Sequence, residues 1–96
     1  YDNAFNTIAH ENDLSKLETE ILLHVYSFSY FKARAIEKTS SFKDVRGKCS
    51  SLRDKGMLRV LYKGNTFTHR SSVFCISNKG ELICQKFYSI LLNNEP

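Results

Sequence analysis

Scarcity narrows the reading of this chain first. One proline and four glycines in 96 residues leave no basis for a collagen-like repeat or a low-complexity tract. No apolar run approaches the roughly 18 residues that a membrane span needs, and no signal-peptide pattern opens the sequence. The cysteines, Cys49, Cys75 and Cys84, are odd in number and form no C-x-x-C pair. Small secreted scaffolds carry an even, denser set, so these are expected to be reduced, half-buried thiols in place of a disulfide pair, which points to the cytoplasm or a nucleus-like compartment. No Cys/His spacing fits zinc, and no glycine-rich loop is present to cradle a phosphate. His10, His24 and His69 are scattered, and Glu18 and Glu20 fall on different faces of one helix. His24 sits beside an apolar stripe and is expected to be partly buried. No catalytic residue, metal or cofactor is therefore expected.

What is present is enough for one small domain, with 42% hydrophobic residues and 25% charged. The net charge of +4 hides an asymmetry. Residues 1–31 carry five acids and one base, a net −4; residues 32–70 carry eleven Lys/Arg and three acids, a net +8; residues 71–96 are neutral. A basic block in the middle of a folded chain is the footprint of a polyanion binder. A solvated basic surface without a partner is the plainer alternative.

Periodicity assigns the elements. Residues 1–13 form an arm or a short amphipathic helix, with Phe5 and Ile8 among polar neighbours. Leu14, Leu17, Ile21, Val25 and Phe28 recur at spacings of three and four, which predicts a first core helix over 15–29. Ser15 and Glu18 supply its capping box. A second helix is predicted over 31–38 with Ser29 as the nearest cap, then a turn at Thr39, Ser40 and Ser41. A third runs over 42–55, capped by Ser40 or Ser41 and closed by Gly56. Phe42, Val45, Cys49 and Leu52 form its inward stripe, and Lys43, Gly47, Ser50 and Asp54 lie opposite. The period then changes to two at Leu58, Val60 and Tyr62. A polar stretch over 63–72 and a second strand over 73–76 complete a hairpin. The last helix starts at Asn78, with Glu81 as the second half of a capping box. Its apolar stripe is Leu82, Ile83, Phe87, Ile90 and Leu91.

This order resembles a winged helix–turn–helix protein, most closely the MarR-like branch. The resemblance covers about residues 14–85 and rests on three stretches in order: Leu14 to Leu22, Leu52-Arg53-Asp54-Lys55-Gly56-Met57-Leu58, and Ile76-Ser77-Asn78-Lys79-Gly80-Glu81-Leu82. The family's second helix often opens with Ser or Thr where Lys32 stands here, and its turn before the third helix often carries Gly where Thr39-Ser40-Ser41 stands. It implies an α+β, mainly α, fold, with a winged helix–turn–helix core over 14–77 and a C-terminal helix over 78–96. It also implies duplex DNA as partner, with the third helix in the major groove. The recognition-helix residues are then Ser40, Ser41, Lys43, Asp44, Arg46, Gly47, Lys48, Ser50 and Ser51. Arg46 is the expected reader of guanine, because Arg donates two hydrogen bonds to its edge. Lys32, Arg34, Arg53, Lys63, His69 and Arg70 are the wing and flanking contacts. A glycine costs about 1 kcal/mol in mid-helix, so Gly47 points either to close approach of DNA or to a kink.

One helix reads few base pairs, so a symmetric homodimer is expected, with Phe5, Ile8, Phe87, Ile90 and Leu91 at its interface. Phe5 and Ile8 folding back onto their own chain is the alternative. A sequence-specific transcriptional regulator is the first functional expectation. A module of a replication or plasmid or viral maintenance protein, a protein–protein adaptor and an RNA binder are the others. No membrane contact is expected, and a small-molecule effector is left open.

Overall fold

The computed structural model describes residues 2–65, 67 and 71–93. His69 and Arg70, expected at the hairpin tip, lie outside the described residues. The fold is α+β and mainly helical. Among the described residues it has five helices and one two-stranded antiparallel sheet, in the order α1 (Asp2–Glu11), α2 (Lys16–Val25), α3 (Ala33–Thr39), α4 (Val45–Asp54), β1 (Leu58–Tyr62), β2 (Val73–Ile76) and α5 (Asn78–Asn93). The third helix expected from the sequence is thus α4. None of the described helices is long and apolar enough to cross a membrane.

The undecided N-terminal segment is a helix. Ala4, Phe5 and Ile8 face one way from α1 and pack against α5 and α2. Its end is tied by Leu14 N–H donating to the Ala9 carbonyl and Asp13 N–H to that of His10, with Asp13 at a left-handed φ of 53°. The same pattern ends α4, where Met57 N–H donates to Leu52, Gly56 N–H to Arg53, and Gly56 has φ 86°. The glycine takes that conformation without the steric cost that Asp13 bears.

One hydrophobic cluster joins all five helices to the sheet, with Ile8, Ile21, Leu22, Val25, Val45, Cys49, Leu52 and Cys84 sealed at its centre. Ser15 caps α2, and both halves of the Ser15–Glu18 box are formed. That helix stops at Val25 instead of running to 29, and Phe28 is left 38% exposed.

The second helix starts two residues later than expected, at Ala33 with Lys32 in the cap position in place of Ser29. The reason lies in Phe31, whose N–H and C=O both bond to Phe74 at 2.9 and 2.8 Å. A residue held in that bridge cannot open a helix. The hairpin therefore carries a one-residue third lane, with the Phe31 and Phe74 rings stacked at 5.9 Å.

The third helix is shorter than 42–55 because Asp44 sits at φ 53° and breaks the helical path before Val45. Neither Ser40 nor Ser41 caps it. The Ser40 hydroxyl donates to the Ile36 carbonyl and accepts from Phe42 N–H, so it closes the turn after α3 instead.

In the sheet, Leu58 pairs with Ile76, Arg59 with Cys75 and Val60 with Phe74, and a register shift then brings Tyr62 opposite Val73. Burial fades along β1 from Leu58 to Tyr62, so the hairpin lifts off the core as it leaves. At the last helix, Ser77 holds the cap position expected for Asn78: its hydroxyl accepts from Gly80 N–H at 3.0 Å. A Cβ on Gly80 would lie 2.4 Å from the Met57 carbonyl oxygen, so only glycine lets α5 approach the turn after α4 this closely. The buried stripe of α5 is Gly80, Ile83, Cys84 and Phe87; Leu82 is off it, at 64% exposed.

Candidate nucleic-acid interface

The inward stripe of α4 is as the sequence predicts, with Val45, Cys49 and Leu52 fully buried and Phe42 partly so. That stripe fixes the azimuth of the helix, and its two flanks have opposite fates.

On one flank, Ser51 and Lys55 are engaged inside the protein. Ser51 Oγ donates to Glu18 Oε2 at 2.6 Å, and Lys55 Nζ lies 3.0 Å from Glu18 Oε1 and donates to the Asp13 carbonyl at 2.6 Å. Glu18 is only 4% exposed. Burial by itself raises its pKa, but hydrogen bonds from Ser51, the Ser15 backbone and Lys55 outweigh it and hold the carboxyl at about 2. Ser51, expected to face DNA, is therefore turned toward α2. A helix-capping carboxylate doubles as an anchor for α4, a role the sequence reading missed. The clue was there in the four-residue spacing of Ser51 and Lys55, but nothing local named Glu18 as their partner.

The other flank opens onto a groove of about 730 Å³ between α3, α4 and the loop end of the hairpin. Arg34 from α3, with Arg46, Ser50 and Arg53 from α4, lines one side; Asn65 and Ser72 lie on the hairpin side. No carboxylate is among its described lining residues. Arg53 touches the exposed carboxylate of Asp54 at 3.2 Å, whereas Arg34 and Arg46 have no ion pair among the described residues. The hairpin side is ordered locally by Gly64 N–H donating to Ser72 Oγ and Phe67 N–H to Asn65 Oδ1. Asn65 and Ser72 were not singled out in the sequence, where they are two polar residues in a polar stretch.

Lys43 and Asp44, just before α4, and Gly47 on its outer side are exposed, and half-buried Lys48 shares by helical spacing the flank of Ser51 and Lys55. Gly47 has a third explanation besides DNA and a kink. A Cβ there would sit 2.7 and 2.8 Å from the carboxylate oxygens of Asp44, which lies over the first turn. Ser41, Lys32 and Lys63 are exposed, and none of the three lines the groove.

Residues expected at a dimer interface are largely used within the chain. Phe5, Ile8 and Phe87 are 6%, 0% and 2% exposed in its own core, and Ile90 and Leu91 pack half-buried against it. The large apolar groups left outside on α5 are Leu82, Tyr88 and Leu92. His24 is exposed, not partly buried, with Phe28 and Phe42 edge-on at 5.6 and 5.3 Å. All three cysteines are free and buried, more deeply than expected. Burial, with smaller contributions from Glu37 and Glu81, pushes the Cys49 and Cys84 thiols up to about 12.

Compared with known proteins, the chain matches no family model, no curated protein and no solved structure.

Proposed function

We propose that this chain is a winged helix–turn–helix module that binds duplex DNA, with α4 in the major groove and the β1–β2 hairpin as the wing. The observation that carries this is the division of α4. On one flank Lys55 is paired with Glu18 inside the protein, while the other presents Arg46 and Arg53 beside Arg34 in a groove lined by no described acid. Cations such as Arg34 and Arg46, which have no ion pair among the described residues, are what a polyanion with regularly spaced charges exploits. The MarR-like order of elements supports the same reading, as does the basic block over residues 32–70.

The proposed role is sequence-specific control of transcription, as a symmetric homodimer whose two α4 helices enter successive major grooves about 34 Å apart. With Phe5, Ile8 and Phe87 inside the chain, such a dimer would draw on the outer face of α5, where Leu82 and Leu92 are exposed. Such a regulator works in the cytoplasm, where thiols like these stay reduced.

A mobility-shift titration with mixed duplexes at two salt concentrations, followed by selection of preferred sequences, tests the reading. Affinity is expected to fall steeply with salt. Absence of binding at low salt would overturn it and favour a protein–protein adaptor. Sedimentation equilibrium with and without duplex tests the dimer, which a persistent monomer on DNA would exclude.

A further inference from the structure

The groove between α4 and the hairpin has a definite place on a duplex. This step rests on the duplex reading above. Adjacent major and minor grooves of DNA are separated by one sugar–phosphate strand. If α4 enters the major groove and the hairpin reaches the neighbouring minor groove, that strand has to pass between them. The space between them is the groove lined by Arg34, Arg46 and Arg53. We propose that this groove seats the intervening backbone strand, and that these three arginines contact phosphates and not base edges.

Three features of the site support the assignment. The arginines come from two helices yet line one cavity, so they repel one another in the free chain and gain from an anion placed between them. A single base edge offers no charge to offset three guanidinium groups, whereas consecutive phosphates do. Ser50 and Ser72 add hydroxyl groups to the same walls, and hydroxyls are common phosphate donors. Arg46, Ser50 and Arg53 also follow one another at i, i+4 and i+7, a stripe along the flank of α4. On this proposal Arg46 contacts a phosphate and does not read guanine. Base edges fall to the N-terminal approach of α4, where Lys43 and Asp44, just ahead of Val45, are exposed.

The experiment compares Arg34→Ala, Arg46→Ala and Arg53→Ala with the unmodified chain, each titrated against its selected duplex and a random duplex between 50 and 200 mM salt. Each alanine is expected to weaken both duplexes by the same factor. Each is also expected to shrink the loss of affinity across that salt range about three-fold, the share of one phosphate contact. Arg46→Lys is expected to restore the salt dependence, because a phosphate accepts a point charge where a bidentate base contact does not. Thermal melting confirms that each variant is folded. If Arg46→Ala weakens only the selected duplex, and Arg46→Lys fails to restore it, Arg46 reads a base and the backbone assignment is wrong. If the unmodified chain binds neither duplex, the DNA reading itself falls and takes this inference with it.

Discussion

Lys55 and Arg46 stand nine residues apart on or next to one helix, in the same basic stretch, and have different surroundings. Lys55 reaches a buried, ionised carboxylate and a backbone carbonyl. Arg46 faces a groove with two further arginines and no described acid. Equal formal charges thus do different work: one locks α4 onto α2, and the other lines a groove with no ion pair among the described residues. Counting the cations of residues 32–70 treats them as one field, whereas the fold divides them into an anchoring flank and a presenting flank. Lys55 therefore does not count among the cations free of an internal ion pair.

The sharpest way to break this contrast is to remove the anchor. Glu18→Ala deletes the N3 half of the capping box, leaves Ser51 without its acceptor and leaves Lys55 with only the Asp13 carbonyl. It is expected to cost about 3 kcal/mol of unfolding free energy, measured by urea denaturation. A loss below about 1 kcal/mol would show that the anchor is only a surface contact.

Acid should act on the same group. The folded-state pKa of Glu18 lies near 2, below the ordinary 4.5, so its contribution is fully present above about pH 5 and is lost as pH falls toward 2. The total lost is expected to be about 3 kcal/mol. Comparing the two chains' stability between pH 5 and 2 checks this, since the Glu18→Ala variant should lack that part of the slope.

A smaller pair of substitutions tests the two flanks against each other. Ser51→Ala removes a hydrogen bond to a carboxylate and is expected to cost about 1.5 kcal/mol. Ser50→Ala, one residue away on the groove side, is expected to change stability by less than about 0.5 kcal/mol. Equal losses in thermal unfolding would erase the distinction between the flanks.

A small gain, opposite in sign to the losses above, is expected at Gly47→Ala. Alanine favours helix by about 1 kcal/mol over glycine, but its methyl forces the Asp44 carboxylate off the first turn. A net gain of about 0.5 kcal/mol in urea is expected, because Asp44 is exposed and makes no side-chain cap bond. A loss above about 1 kcal/mol would mean that α4 depends on that carboxylate where it lies.

Features whose cause lies within a few residues were legible in advance. The Ser15–Glu18 box, the end of α4 at Gly56 and the bounds of β2 were all read correctly, since caps and turns depend on nearby backbone groups. The N-terminal helix was not, because α1 ends on a left-handed Asp13 in place of the usual glycine and is held by burial against α5. The late start of α3 was equally hidden, since it follows from Phe31 pairing with a residue 43 positions away. On the candidate interface, the sequence named all three arginines but ranked Arg46 apart from Arg34 and Arg53. Their meeting in one groove depends on how α3, α4 and the hairpin pack.

By itself, then, the sequence determined the order of the elements from residue 14 onward, the inward stripe Val45–Cys49–Leu52 and the central position of the basic block. Helical spacing and cap chemistry act over one or two turns, and net charge is additive along a chain. The tertiary structure alone decided which cations are spent internally and which are presented. Electrostatic and hydrogen-bonding energies depend on distance through space, and only the packing of α2 against α4 brings Glu18 to Ser51 and Lys55 while Arg46 has no ion pair among the described residues.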